Sequence, residues 1–289
     1  MDNGQLQRIA ESIQNGTLRK LGISDSFRFS CGQCGRCCIN NSVIVNTYDV
    51  IRMRRTLKMT TGEMIDNGLL SFNVGPNSGM PIATIRFRQI NDNLSACPFL
   101  APVYQAASID EIKSRIQDGN INTKGLKIAK NRYSEDIFLC GIHPDKPFRC
   151  RAYPLGRISE YENRPVGDKQ DGMLNIESAE TFWFHVDLPD DCKGSSDAKE
   201  HTVREWIESQ GMKEYLDTSV RCTSMLEKIA KANILNNDGI SALAFTILYD
   251  FDSMLKMEMS DAETLNLVER SVDMLIEIAS ENRFVLSQN

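Results

Sequence analysis

Four cysteines lie within eight residues of this chain, in the segment 31–38, whose sequence is Cys-Gly-Gln-Cys-Gly-Arg-Cys-Cys. Gaps of two residues between cysteines let successive thiolates converge on one centre, as in zinc knuckles and ferredoxin loops. The two glycines suit a loop whose backbone must turn around a small object and point N–H groups at the sulfurs. Packing alone does not explain this density of cysteine, so the segment predicts a metal site.

The adjacent pair Cys37 and Cys38 complicates a single site, because neighbouring side chains tend to point apart. Either one of them ligates a second metal, or the ligand set is completed by a residue from far along the chain. Eight cysteines suffice for two four-cysteine sites, or for one such cluster with four thiols in supporting or second-metal roles. Cys222 lies in the segment 220–229 and is expected to be a small hydrophobic core residue. The candidate metal ligands are Cys31, Cys34, Cys37, Cys38, Cys97, Cys140, Cys150 and Cys192.

Three arginines near these cysteines, Arg36, Arg149 and Arg151, are expected to surround the centre as cofactor-binding residues. Four thiolates around Zn²⁺ or an iron–sulfur cube leave a charge of about −2, which nearby cations help to offset. Lys146 and Arg157 extend the same basic patch, which an anionic substrate would also suit. Charge balance at the sulfurs needs fewer assumptions and is the favoured interpretation.

Composition restricts the class of protein and of partner. Lys and Arg total 33 against 39 Asp and Glu, which gives a net charge of −6 and a pI near 5.3. This acidic balance predicts no nucleic-acid partner. No window approaches 18 consecutive apolar residues, and the polar N-terminal segment lacks the apolar stretch of a signal peptide, so a cytoplasmic protein without a membrane partner is expected. An odd count of nine cysteines argues against a disulfide framework.

The elements that position the cysteines are expected to be short. Apolar spacing predicts a helix over Thr47–Leu57, and the spacing of Thr60 and Glu63 matches a capping box at the start of a second helix. Alternating apolar residues predict half-buried strands between the cysteines. The remaining predicted elements are an N-terminal helix over 5–21, a helix after Ser108, and strands over 80–90, 137–140 and 182–186.

Beyond residue 199 glycine and proline almost vanish, and the pattern becomes helical. Three helices are predicted, over Thr202–Tyr215, Ser241–Met257 and Asp261–Ser280. Ser260 and Glu263 form a capping-box pair before the last of them. These C-terminal helices offer a surface for a possible protein partner.

The pattern as a whole predicts an α+β fold, in which a small cysteine-rich metal-binding domain with short strands and helices precedes a helical C-terminal region. The expected divisions are an N-terminal helix at 1–27, a cysteine-cluster domain at 28–196 and the helical region at 197–289. The polar stretch near 195–200 marks the boundary.

The order of the cysteine motifs resembles a known family. Segment 31–38 is followed by Cys-Pro-Phe-Leu at 97–100, by Cys-Gly-Ile-His-Pro-Asp-Lys-Pro-Phe-Arg-Cys-Arg-Ala-Tyr-Pro at 140–154, and by Cys-Lys-Gly at 192–194. This set is similar to the cysteine-cluster family of zinc- or iron-chelating proteins called YkgJ-like, over about residues 28–196. The flagellin lysine methylases share the pattern, and that resemblance implies an iron–sulfur cluster.

The chain departs from the family pattern at several positions but at no cysteine. His143 replaces the usual tyrosine, Lys146 the usual arginine, and Lys193 the proline of a Cys-Pro-Gly motif. The gap between Leu100 and Cys140 is longer than the family's usual link, so the segment at about 103–136 is expected to be an insertion. His143 is expected beside the centre or at the surface, since eight cysteines are already at hand.

Other catalytic signatures are missing from the sequence: it contains no GxGxxG after a strand, no GxxxxGK[ST], no HExxH and no GxSxG. Three functions therefore stay open. The favoured one is an iron–sulfur protein, with a 4Fe–4S cluster in a redox or modification role. The alternatives are a zinc-binding structural or interaction module and a protein-lysine methylase-like enzyme. Whether the chain is an enzyme is left undecided, because thiolate sites suit both zinc and iron–sulfur clusters.

Overall fold

Helices of very different lengths surround a set of small sheets. The computed structural model describes residues 12, 15, 19–32, 34–74, 80–102, 138–159, 181–186, 188, 192, 199–235, 238–254 and 259–286. Within these ranges three short 3₁₀ helices cover Arg36–Cys38, His143–Asp145 and Phe251–Met254. The α-helices are α1 (Thr47–Leu57), α2 (Thr61–Asp66), α3 (Phe148–Ala152), α4 (Val203–Ser209), α5 (Lys213–Ala232), α6 (Asp238–Leu248) and α7 (Asp261–Leu286).

The strands are short and pair antiparallel. Two sheets of three strands have the orders β1-β11-β10 and β3-β5-β4, and three ribbons pair β12 with β2, β6 with β7, and β8 with β9. Helices beside small antiparallel sheets are the α+β mixture that the sequence predicts. The strands are β1 (Lys20–Leu21), β2 (Ser26–Arg28), β3 (Ile44–Val45), β4 (Leu70–Val74), β5 (Pro81–Ile85), β6 (Arg88–Asn91), β7 (Leu94–Ala96), β8 (Leu100–Pro102), β9 (Phe138–Cys140), β10 (Leu155–Ser159), β11 (Thr181–His185) and β12 (Glu200–Thr202).

Helix α1 lies at the centre of the molecule and has the predicted bounds. Asn46 and Asp49 form a reciprocal capping box at its first turn: the Asn46 side chain accepts the Asp49 N–H at 2.8 Å, and Asp49 accepts the Asn46 N–H at 3.0 Å. Val50, Met53 and Leu57 are buried on α1, which packs against both α5 and α7. The helix thus contributes buried core residues between the cysteine-bearing segments and the C-terminal helices.

One continuous apolar cluster crosses the predicted boundary near 195–200. Strand β12, from the C-terminal side of that boundary, pairs with β2 near the start of the described chain. Trp206 of α4 packs edge-on against Phe27 and Phe29, and its indole N–H donates to the Ala152 carbonyl at 3.0 Å. The helical region is therefore packed directly onto the segment that carries Cys150.

Capping predictions after Thr60 and Ser260 are confirmed, with α2 and α7 starting at the next residue. The single helix predicted over Thr202–Tyr215 is wrong, because the chain turns at Gly211, where φ is +59°, and separates α4 from α5. The strand predicted over 80–90 is likewise two strands, β5 and β6, in different sheets. Each prediction failed where a turn inside an apolar pattern redirects the chain.

Two further predictions have bounds that differ from the structure. The helix predicted over Ser241–Met257 starts earlier, as α6, and ends at Leu248, after which the chain forms a 3₁₀ helix. The N-terminal helix predicted over 5–21 ends in strand β1 instead, and most of its length lies outside the described residues. The helix after Ser108 and the proposed insertion at 103–136 also lie outside them. No helix in the described ranges is long and apolar enough to cross a bilayer.

Candidate metal centre

The loop that carries Cys34, Cys37 and Cys38 turns through Gly35, whose φ of +70° lies in the left-handed region that favours glycine. The 3₁₀ helix Arg36–Cys38 follows at once, with the Cys38 N–H donating to the Gly35 carbonyl at 2.9 Å. The cysteine loop is therefore built by a glycine turn, as its sequence predicts.

Backbone hydrogen bonds join this loop to the β6–β7 ribbon. The Cys97 N–H donates to the Cys38 carbonyl at 2.8 Å, and Ile39 forms an isolated bridge with Ala96. Next to them, the Asn40 side chain donates to the Asn93 carbonyl at 3.0 Å. These contacts hold the buried Cys97 beside Cys38 although the two residues are far apart in the sequence.

The third cysteine of this group is placed by strand pairing. Strand β8 follows Cys97 almost at once, and its residue Leu100 is directly opposite Cys140 on β9. The Gly141 N–H then donates to the Phe99 carbonyl at 2.6 Å. The pairing brings Cys140 to the same end of the ribbon as Cys97.

Cys150 lies on α3, and a buried carboxylate positions this short helix. The Phe148 N–H, at the first turn of α3, donates to Asp49 Oδ1 of α1 at 2.8 Å. Asp49 is only 2% exposed, and burial raises its pKa to about 6 despite the N–H groups of Asn46 and Phe148 and the charges of Arg149 and Arg151. The sequence analysis did not single out Asp49; the Asn46–Asp49 spacing was the available signal.

Cys192 contacts the cysteine loop although it is 158 residues from Cys34 in the sequence. Its Sγ lies 4.0 Å from Cys34 Sγ, and Cys192 is buried. Burial, followed by the charges of the Cys192, Cys37, Cys34 and Cys31 thiolates, raises the pKa of Tyr153. Tyr153 is therefore within electrostatic range of these four cysteines.

Two sulfur–sulfur contacts occur within the described part of the group. Cys37 Sγ and Cys38 Sγ are 3.8 Å apart, and Cys34 Sγ and Cys192 Sγ are 4.0 Å apart. Among the described side chains, no group of three or more His, Cys, Asp or Glu is arranged to hold a metal ion as it stands. These four sulfurs thus meet in pairs.

Burial and mutual repulsion raise the pKa values of several of these thiols. The hydrogen bond with Cys38, then burial, then the neighbouring thiolates raise the pKa of Cys37. Burial, with added repulsion from Cys140 and Cys37, raises the pKa of Cys150 well above its ordinary value. Burial raises the pKa of Cys140 to about 11, against the opposing effect of Lys146 and Arg151. The raised pKa values favour the protonated thiol form of Cys37, Cys140 and Cys150.

The basic side chains differ in how many thiols they influence. Lys146 lowers the pKa values of three of them, Cys37, Cys140 and Cys150. Arg151 also acts on Cys140, but three hydrogen bonds hold its guanidinium, to the carbonyls of Gln210 and Pro144 and to the Tyr215 hydroxyl.

The other two predicted arginines flank ligands directly in the chain. Arg149 interacts electrostatically with both Asp49 and Cys150. Arg36 begins the 3₁₀ helix that holds Cys37 and Cys38. All three predicted arginines are thus sequence neighbours of candidate cysteines, and their role at a cofactor stays a prediction. Lys146 acts electrostatically on three of the thiols.

The ninth cysteine lies apart from this group. Cys222 is buried in α5, and burial raises its pKa to about 12. It is a core residue there, as predicted. His143 is exposed at the start of its 3₁₀ helix, and His185 packs against Phe27 with ring centroids 5.7 Å apart.

A comparison with known proteins returned no matching family model, no matching curated protein and no matching solved structure. The proposed metal chemistry of the site therefore depends on the cysteine group itself.

Proposed function

We propose that this protein binds a thiolate-ligated metal centre, an iron–sulfur cluster, through its clustered cysteines. The observation that carries the proposal is convergence. Five separate segments of the chain carry the eight cysteines, and contacts join these segments. Cys34 meets Cys192, Cys37 meets Cys38, and the Cys38 carbonyl accepts the N–H of Cys97, whose following strand pairs with that of Cys140. The remaining cysteine, Cys222, is buried in the apolar core. Ionised thiols that lie close together destabilise one another, as at Cys37, Cys140 and Cys150, and a bound cation removes that penalty.

The donor set fits a thiophilic metal. Thiolates select zinc, Cu(I) and iron–sulfur clusters over hard cations such as Mg²⁺ or Ca²⁺. Because thiolate is the ligating form, metal loading requires proton release from thiols of raised pKa such as Cys37, Cys140 and Cys150. It also requires side-chain movements that bring paired sulfurs around a common centre. Lys146, Arg149 and Arg151 supply positive charge beside the resulting thiolates.

An iron–sulfur cluster is favoured by the loop itself. The Cys-x-x-Cys-x-x-Cys spacing of 31–37 with a remote fourth cysteine is the ligand pattern of bacterial ferredoxin loops. Exposed Cys31 and Cys37 put this end of the group within reach of a redox partner or substrate. The resemblance to the YkgJ-like family and to the flagellin lysine methylases belongs to the same proposal.

Zinc is the second candidate, and one sulfur–sulfur distance supports it. A tetrahedral zinc ion with Zn–S bonds of about 2.3 Å places its sulfurs about 3.8 Å apart. The Cys34–Cys192 contact, at 4.0 Å, is close to that spacing. A zinc-binding structural module would need no redox partner.

Anaerobic purification followed by metal and acid-labile sulfide analysis tests the proposal. An iron–sulfur protein is brown, contains iron and sulfide in equal amounts and bleaches with dithionite. If anaerobic reconstitution introduces no sulfide while native zinc is stoichiometric, the zinc module replaces the cluster. If neither metal binds, the proposed function is wrong.

A pair of variants assigns the binding to the cysteine group. Cys34→Ser replaces a soft thiolate with a hard hydroxyl, and we expect it to lower the bound metal markedly. Cys222→Ser is the matched control, because the same substitution in the core costs packing but leaves the metal content unchanged. The opposite result, with metal lost only from the Cys222 variant, would contradict the assignment.

A further inference from the structure

We infer that the eight cysteines form two adjoining four-thiol metal sites, and that the boundary between them falls between Cys37 and Cys38. This inference rests on the proposed function and deepens it. The loop site and the inner site are defined by their ligands. The loop site consists of Cys31, Cys34, Cys37 and Cys192; the inner site consists of Cys38, Cys97, Cys140 and Cys150.

Backbone geometry assembles the inner site. The hydrogen bond from Cys97 N–H to the Cys38 carbonyl, at 2.8 Å, ties the first two ligands, and the pairing of Leu100 with Cys140 adds the third. The fourth, Cys150, is on α3, whose first turn is fixed to α1 by Asp49. Main-chain hydrogen bonds therefore tie Cys97 to Cys38 of the cysteine loop and place Cys140. Cys150 is placed by a main-chain N–H that donates to the Asp49 carboxylate.

The loop site is assembled around a different contact. Cys34 Sγ lies 4.0 Å from Cys192 Sγ, and all four thiols of this set act electrostatically on Tyr153. Two cysteines of the loop site, Cys31 and Cys37, are exposed, although Cys192 is buried. The inner site has no exposed cysteine, since Cys97 is buried and the other three are partly buried. The loop site is thus the more accessible of the two.

The main chain directs the adjacent cysteines to different partners. The carbonyl of Cys38 accepts the Cys97 N–H at 2.8 Å. Cys37 follows the Gly35 turn that leads from Cys34, whose Sγ lies 4.0 Å from Cys192 Sγ. A tetrahedral ion and a 4Fe–4S cluster each take four protein thiolates, so one centre does not use eight donors. In two-cluster ferredoxins the fourth cysteine of the run ligates the other cluster, and here that cysteine follows its neighbour directly. The 3.8 Å contact between Cys37 and Cys38 makes the two centres neighbours.

Both sites take the same ligand class, a thiophilic centre, which is either Zn²⁺ or an iron–sulfur cluster. Closed four-ligand sites held by the backbone are typical of structural metals. We therefore assign a structural role to the inner centre and the exchangeable or reactive role to the loop centre.

Pairs of Cys→Ser variants test the division by their metal content after anaerobic reconstitution. Cys31→Ser and Cys34→Ser should each remove one of two centres, and combining them should remove no more than either alone. Combining Cys34→Ser with Cys140→Ser should remove both centres. The division is wrong if one variant from either set already removes every centre, or if the combination across the sets loses no more than its single members.

Stepwise release from the unmodified protein provides the second measurement, which stands even where an inner-site variant fails to fold. Native mass spectrometry during titration with a chelator should show two successive losses, with the loop centre leaving first. A single concerted loss, or a fully loaded protein with one centre, would overturn the inference while leaving the proposed function intact. A protein that takes up no metal at all would instead remove the proposed function.

Discussion

The helical region at the C-terminus, residues 203–286, is built from long elements, with 20 residues in α5 and 26 in α7. The cysteine region comprises the loop 31–38 and the segments around Cys97, Cys140, Cys150 and Cys192. Its described residues form short elements, such as the three-residue strands β7 and β9, 3₁₀ turns and the five-residue α3. In α7 the buried residues recur every three or four positions, as at Leu265, Val268 and Val272. The cysteine region has no comparable apolar seam in its described residues.

The contrast indicates two sources of stability. Helices as long as α5 and α7 are stabilised by burial of one apolar face against neighbouring elements. Segments of three to five residues bury too little surface to offset the entropy of ordering them, and the proposed metal centre would supply the missing free energy. We expect the two regions to respond differently to the same perturbation.

The junction between the regions is a partly buried ion-pair network. Arg52 of α1 pairs with Asp145 of the 3₁₀ helix between two cysteine segments and with Asp261 at the start of α7, the latter at 3.3 Å. Arg55 also pairs with Asp261, at 2.8 Å, and the Thr56 hydroxyl donates to Asp145. One face of α1 therefore contacts charged groups of both regions.

Removal of the metal should have the largest effect. Structural zinc sites link on the order of 10 kcal/mol of binding free energy to folding. Anaerobic treatment with a chelator should therefore lower the unfolding temperature markedly, while the helical region keeps much of its far-UV circular dichroism. A melting curve that the chelator leaves unchanged would end the distinction between the two regions.

Truncation of the helical core should have the next largest effect, without loss of metal. Phe251 has no exposed surface and lies under the Arg54 guanidinium, 5.0 Å from its ring centroid. Phe251→Ala should lower the free energy of unfolding by about 3–5 kcal/mol in a denaturant titration. Val74→Ala, at a position 68% exposed, is the control and should change it by less than about 0.5 kcal/mol. Loss of metal from the Phe251 variant would show that the regions do not separate.

The buried carboxylate of Asp49 should make stability depend on pH. Its folded pKa of about 6 lies above the ordinary 3.8, so between these values the folded state binds more protons than the unfolded state. Stability attributable to Asp49 therefore rises as pH falls from 7 towards 4, by up to about 3 kcal/mol.

Asp49→Asn isolates this contribution, since the amide does not titrate and its oxygen still accepts the Phe148 N–H. The free energy of unfolding of the native protein minus that of the variant should increase on acidification. A difference that is constant or decreases between pH 7 and 4 would show that the Asp49 carboxylate is not held in a desolvating site.

Disruption of the junction should cost less. Arg52, Asp145 and Asp261 are each between 12% and 17% exposed, so the pairs lie between the surface and buried limits. Arg52→Met should lower stability by about 1–3 kcal/mol and should shift the unfolding of both regions. Arg28→Met is the matched control, because Arg28 and its partner Glu200 are largely exposed and the change should be within about 1 kcal/mol. An equal effect of the two variants would remove the special status of the junction.

Local spacing was enough to predict the helices that begin with capping boxes. Hydrogen bonds between residues three apart fix the starts of α2 and α7, and a short apolar pattern gives α1 its bounds. The same locality explains the cysteine loop, because a glycine turn and two-residue gaps need no distant partner. Residue type alone also separated Cys222, in an apolar segment, from the candidate ligands.

Long-range contacts decided the rest. Three contacts of the site join residues that are distant in the sequence. Cys38 and Cys97 are 59 positions apart, Cys34 and Cys192 are 158 positions apart, and Asp49 and Phe148 of α3 are 99 positions apart. No local periodicity records such pairings, since they depend on which strand edges and helix faces find each other when the apolar core closes. Cysteine spacing could therefore predict which thiols are candidate ligands. The antiparallel ribbons and the buried face of α1 determined which of these thiols became neighbours.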